Sequence, residues 1–329
     1  MNNHYLYTET AFHHEGDIDY VKGLIDATKE AGAEGIKFQV LTKVSDFISS
    51  KHSAFEALSN YCFDFSQWKV IFEYTKNKGL DIIMMPLNLD ALKLLEFFDI
   101  KYLDIHSVSF YDESLLAKIK ETSLDIILGV GGRTIEEIAQ KKKYFGGNLK
   151  VLMVGFQSFP SEIEKVKIGK ISFLKTMFPD LEIGYADHSS FDNPWAVKSN
   201  EYARLLGATI FEKHITLSEG KERVDYSAAI NGKSIHLVKE NLNFIDQFVL
   251  SDFVSSFEFT KEETTYRERQ LRCVASRKIN KGEKIEREHI KLKLTTETEE
   301  SVSNMTSILG KFSSEEIACD ELITHNKLI

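Results

Sequence analysis

Proline is scarce, with four in 329 residues, which argues against Pro-rich linkers between domains. Cysteine is scarcer still. Cys62, Cys273 and Cys319 are far apart and odd in number, so they supply neither a disulfide framework nor a zinc-ligand spacing, and they fit a reducing cytosol. Positive charge is not in excess: 41 Lys and Arg face 50 Asp and Glu, for a net charge of −9. The cations are scattered along the chain, which excludes a broad nucleic-acid-binding surface. No apolar run approaches the ~20 residues of a membrane helix. The opening MNNHYLYTET has no apolar segment behind a basic start, so no secretion signal is read. The expectations are a cytoplasmic protein with no membrane or nucleic-acid partner.

What is present is an ordinary globular composition, 43% hydrophobic and 28% charged, in a chain long enough for one large domain and a small one. Apolar, β-branched runs alternate with amphipathic stretches of helical length. Strands are predicted at 5–11, 35–40, 80–86, 102–107, 125–131, 149–156, 182–188 and 208–216. Helices are predicted at 18–31, 66–78, 89–98, 112–121, 134–144, 165–178, 193–206 and 231–248. Thr134 and Glu137 have the spacing of an N-terminal capping box. Eight strands, each followed by a helix, point to an α/β fold of the (β/α)₈ TIM barrel type over 1–250. A doubly wound open sheet is the alternative, but no Gly-x-Gly-x-x-Gly follows the first strand. Residues 251–268 read as a polar linker, and 269–329 as a small domain of short strands and turns.

In such a barrel the active site lies at the carboxyl ends of the strands, and polar residues crowd those ends here. Glu9 ends strand 1, with His13, His14 and Glu15 behind it. Lys37 and Gln39 lie two apart in the otherwise apolar GIKFQV, so both point to the same side, the barrel mouth. His106 and Ser107 end strand 4, Gln157 follows strand 6, and Tyr185, Asp187 and His188 end strand 7. Glu212, Lys213 and His214 end strand 8, with Asp225 in the loop beyond. His188 and His214, on adjacent strands, have the chemistry to share a divalent cation: Mn²⁺, with Mg²⁺ or Zn²⁺ as alternatives. Asp187 and Glu212 would then support them from behind. The competing reading makes each a hydrogen-bonded core histidine. Lys37 could equally snorkel to solvent, and Glu9 could pair with it. The turn GVGGRT (129–134) offers free backbone N–H groups and Arg133 to a phosphate, or is simply a tight turn.

Four ordered segments carry a resemblance. TETAFHHEGD, AGAEGIKFQ, GYADHS and GATIFEKHITL resemble motifs of the sialic acid synthase family, which includes N-acetylneuraminate, pseudaminate and legionaminate synthases. RCVASRKINKGEKI and SILGKF are similar to the small antifreeze-like (SAF) domain that ends those enzymes. The resemblance implies condensation of phosphoenolpyruvate with an N-acetyl amino sugar, such as N-acetylmannosamine, to a nine-carbon 3-deoxy-2-keto acid with loss of phosphate. It implies a metal on His188 and His214 acting as a Lewis acid. Lys37 would neutralise phosphoenolpyruvate charge, and Glu9, Gln39 and Asp225 would bind the sugar, with Asp187 in the catalytic set. His14, Ser107, Arg133, Gln157, Tyr185 and Lys213 are the implied substrate contacts. A domain-exchanged homodimer is implied as well.

The pattern departs from the family at its anion site. Gly129 and Ala186 stand where the family has serines, Gln157 and Phe159 where it has an amide and a phenol, and the loop 295–304 lacks the family's arginine. Two classes of function follow: a synthase of the sialic acid type, or a diverged barrel acting as another metal-dependent aldolase or lyase or as a non-catalytic sugar-binding subunit.

Overall fold

A computed structural model describes residues 4–155, 158–250, 258–296 and 300–329. The chain divides into two compact units, 1–253 and 254–329. In the first, eight parallel strands close into a barrel in sequence order. They are β1 (Tyr5–Glu9), β2 (Gly35–Val40), β3 (Asp81–Pro86), β4 (Tyr102–Ile105), β5 (Ile126–Gly129), β6 (Leu149–Gly155), β7 (Glu182–Asp187) and β8 (Ile210–His214). The helices around them are α1 (Ile18–Glu30), α2 (Phe55–Tyr61), α3 (Phe65–Asn77), α4 (Glu113–Glu121), α5 (Ile135–Phe145), α6 (Ile163–Val166), α7 (Lys170–Met177), α8 (Trp195–Leu205) and α9 (Gly232–Phe244). The closed barrel, not the open sheet, is the architecture. Among the described residues no helix is long and apolar enough to cross a membrane.

Three sequence expectations are corrected. The segment 89–98 forms a 3₁₀ helix, Leu89–Glu96. The helix expected at 165–178 is two, because Lys167 takes a left-handed conformation at φ 51° and ends α6. The long loop after β2 carries the unpredicted α2. The capping box of α5 is present: the Thr134 side chain accepts from the Glu137 N–H, and the Glu137 carboxylate accepts from the Thr134 N–H.

Strand residues alternate between two cores. Ile36, Phe38, Met84, Leu103, Leu128, Leu152, Ile183, Tyr185 and Phe211 point outwards into the large cluster beneath the helices. Tyr7, Ile83, Tyr102, Ile127, Val151, Met153, Ala186 and Ile210 fill the barrel. Register then sets what stands above that apolar plug. Glu9 is paired with Lys37 on β2 and with His214 on β8, so these three side chains share one level of the interior.

The second unit contains α10 (Lys261–Arg267) and the antiparallel pair β9 (Arg272–Ala275) and β10 (Ile290–Lys293). Its own core includes Cys273, Ile279, Ile285, Ile308, Ile317 and Ile323.

Gly35 opens β2 against the apolar plug. A Cβ there would sit 2.6 Å from the Tyr5 hydroxyl and 2.8 Å from Ile83 Cδ1. Gly35→Ala should therefore overpack the barrel and lower the unfolding free energy by about 1–3 kcal/mol. Urea titration checks this, and an unchanged midpoint would contradict the packing described.

Candidate active site at the barrel mouth

A cavity of about 180 Å³ opens at the carboxyl ends of the strands. Its floor is a buried ammonium among carboxylates. Lys37 Nζ lies 2.6 Å from Glu212 Oε2, 2.9 Å from Asp104 Oδ2 and 3.1 Å from Glu9 Oε2, and all four side chains are at most 4% exposed. Lys37 is thus neither snorkelling nor on the outer wall. Gln39 donates to Glu9 Oε1 (2.8 Å), and the Tyr7 hydroxyl donates to Glu212 Oε2 (2.7 Å). Burial alone would push the Lys37 ammonium down, but Asp104, Glu212 and Glu9 reverse this and hold it well above the ordinary range. Burial likewise works to raise Glu9, yet Lys37 and His214 hold it well below the usual carboxylate range. For Glu212 and Asp104 burial wins, and both are raised.

The two histidines meet as the strand positions suggest. Their ring centroids are 4.9 Å apart, and His214 Nε2 lies 3.2 Å from Glu9 Oε2. His188, Glu212 and His214 each offer a ligand atom, all within 4.8 Å of one another. His188 Nδ1 is buried with no hydrogen-bond partner, and burial, with His214 adding, pushes its imidazole down to about 3. A neutral imidazole with an idle nitrogen beside a carboxylate and a second imidazole suits a divalent cation. Glu212, expected behind the metal ligands, stands among the donors instead.

The remaining predicted residues divide by where they face. Ser107 and Asp225 line the mouth with Glu9, Lys37, Gln39, His188 and His214, and burial raises the Asp225 carboxyl. Gly129 and Ala186 line it too, so two wall positions carry no hydroxyl. Phe159 sets its ring at right angles to His188, 4.7 Å between centroids. Gln157 lies outside the described residues.

A second group faces elsewhere, and its expected place in the mouth is corrected. Tyr185, Asp187 and Lys213 have the opposite strand parity and point behind the barrel wall. Asp187 pairs there with the Lys213 ammonium and accepts from Tyr185 and Ser189. His14 is packed under the loop after β2, its ring stacked on Phe63 at 4.5 Å and 21°. Arg133 lies over the Phe110 ring at 4.2 Å and donates from Nη2 to the Ser107 carbonyl (2.7 Å). It lines a separate cavity outside the mouth.

Asp104 was missed. It lies two residues before His106 in YLDIHS, and that spacing alone gives it the same inward face.

Burial pushes His14 down to about 3, with the charges of His13 and Arg223 adding. An unfolded histidine takes up its proton near pH 6.5, whereas folded His14 does not until about pH 3. The unfolded chain therefore binds more protons across that window, and stability falls as pH drops through it. His14→Phe should reduce the stability lost between pH 7.5 and 5.5 by about 1.4 kcal/mol, measured by denaturant titration at both values. An equal loss in both proteins would contradict a buried neutral imidazole.

An uncharacterised protein of Methanocaldococcus jannaschii is 27% identical over 292 residues, 88% of this chain and 84% of its own. The N-acetylneuraminate-9-phosphate synthase of Drosophila melanogaster is 24% identical, covering 99% of this chain and 96% of its own. In fold, the spore coat polysaccharide biosynthesis protein E of Chromobacterium violaceum superposes with a TM-score of 0.83 at 19% identity, over 98% of this chain and 99% of that one. The NeuB family model matches residues 24–250, most of the barrel, and the chain belongs to the NeuB family.

Proposed function

We propose that the protein joins phosphoenolpyruvate to the aldehyde carbon of an N-acetylated sugar, N-acetylmannosamine or a related diacetamido sugar. The products are a nine-carbon 3-deoxy-2-keto acid and inorganic phosphate. The observation that carries this reading is the convergence of Glu9, Lys37, Gln39, His188, Glu212 and His214 on one cavity. Among the described residues Lys37 is the one lysine in that lining, and its ammonium meets the donor's carboxylate. Gln39 and Glu9 at the floor and Asp225 in the lining offer a donor amide and acceptor oxygens, suited to sugar hydroxyls and an N-acetyl group. His188, Glu212 and His214 would hold a divalent metal, which supplies Lewis acidity toward the aldehyde oxygen when bound. The enol carbon forms the new bond to the aldehyde carbon, water adds at the neighbouring carbon, and that carbon's bond to the phosphate oxygen breaks. The second unit is proposed to be the antifreeze-like domain, in a domain-exchanged homodimer in the cytoplasm.

A second reading is favoured by a specific observation. Four carboxyl groups, Glu9, Asp104, Glu212 and Asp225, share the mouth with Lys37, and three of them already lie against its ammonium. A charge pair at 4 Å in such surroundings is worth about 4 kcal/mol. A highly charged phosphoenolpyruvate therefore meets more repulsion here than a singly charged 2-keto acid. A metal-dependent aldolase or lyase handling pyruvate needs no phosphate site, and Gly129 and Ala186 provide no hydroxyl for one.

Mixing the protein with Mn²⁺, phosphoenolpyruvate and either sugar should release inorganic phosphate in step with keto acid. Pyruvate formed from a nine-carbon keto acid, without phosphate release from the forward mixture, would select the second reading. Neither product would overturn both. Asp104→Asn removes one of three carboxylates from Lys37 and should tighten phosphoenolpyruvate binding at least tenfold, or about 1.4 kcal/mol, by calorimetric titration. Unchanged affinity would detach the donor from Lys37.

A further inference from the structure

Outside the barrel, between the start of α5 and α7, lies a second cavity of about 690 Å³, several times the volume of the mouth. Its walls are apolar: Ile135, Ile138, Val154, Val166, Phe173 and Leu174. Its rim is cationic, with Arg133, Lys165, Lys167 and Lys170 against the single carboxylate of Glu164. Lys165 is paired with Glu162, but among the described residues neither Lys167 nor Lys170 meets a carboxylate.

Unsatisfied donors gather at the same place. Arg133 spends one Nη on the Ser107 carbonyl and sets the other 3.9 Å from Glu137 Oε1, while its Nε is buried with no partner. Gly131 and Gly132 line the cavity, and their amides have no hydrogen-bond acceptor among the described residues. A Cβ on Gly132 would meet nothing within 4 Å, so the turn faces open space. The end of α5 is not the source of these donors, because Thr134 and Glu137 cap each other there. Of these donors the Arg133 Nε is buried, and a buried N–H without an acceptor is uncommon and calls for a partner; Gly131 is half-buried and Gly132 exposed, so their amides are open to a ligand or to water. Charge-assisted bonds from a guanidinium and backbone amides are the usual cradle for phosphate oxygens.

We propose that this cavity binds a phosphate monoester with an apolar body, its phosphate held by Arg133, Lys167, Lys170 and the Gly131–Gly132 turn and its body against Ile138, Val166 and Phe173. The site is separate from the reaction assigned to the barrel mouth and stands or falls without it.

The probe is 1-naphthyl phosphate, titrated calorimetrically into the full chain. One site per chain is expected, weakened at least tenfold by Lys170→Glu and by Arg133→Gln and unaffected by His214→Ala in the mouth. Inorganic phosphate and 1-naphthol should each bind at least tenfold more weakly than the ester. Lys170 is exposed at the start of α7, so its variant reports on binding even if Arg133→Gln disturbs the fold. Absence of saturable binding overturns the assignment. So does affinity that Lys170→Glu leaves unchanged, affinity lost in His214→Ala, or naphthol binding as tightly as its phosphate.

Discussion

One ammonium inside the barrel constrains the rest. Lys37 is buried on β2, and an unpaired charge there would be far too costly to keep. Its three carboxylates come from β1, β4 and β8, so the group ties four strands at one level. Parallel register makes this arrangement available, because Glu9 is already opposite Lys37 and His214 along the ladders. Below that level the interior is closed by Tyr7, Ile83, Tyr102 and Ile127, which keep water from the ammonium. Above it, the histidines and Asp225 face the opening. A polar layer on an apolar plug is how one barrel serves both as a core and as a reaction vessel.

Much of this was legible in the sequence, because the signals involved are short and repeated. GIKFQV reads as a strand from its period of two, and β2 spans those same residues. The barrel follows from counting strand and helix alternations. Legibility failed where two signals overlap. In GYADH and FEKH polar residues occupy both parities, so the sequence does not say that Asp187 and Lys213 pair behind the wall while His188 and His214 face the mouth. His14 resembles a site residue by position, but Phe63 and Trp68, some fifty residues on, bury it. Only tertiary packing reveals that.

The electrostatic character of the mouth follows from Asp104. Without it Lys37 would face two carboxylates, Glu9 and Glu212, and one of these is also within reach of a metal shared with His188 and His214. With it, the ammonium is compensated whichever of Glu9 and Glu212 turns toward a cation. The same carboxyl group that partners the buried ammonium therefore weakens the mouth as an anion trap, and Gly129 and Ala186 add no hydroxyls to offset this.

Arg133 completes that shift. Held over Phe110 and bonded to the Ser107 carbonyl, its guanidinium is kept from the mouth by packing and hydrogen bonding, since moving inward would give up both contacts. The capacity to hold a phosphate group is thus divided in this chain. The inner site has a compensated lysine and few neutral donors, while the outer cavity has the unpartnered Arg133 Nε and more cationic than acidic side chains in its lining. Ser107 touches both, through its place in the mouth and its carbonyl on Arg133, and Gly155 borders both cavities. The Ser107 carbonyl that holds Arg133 belongs to the turn after β4, one residue from His106 and three from Asp104.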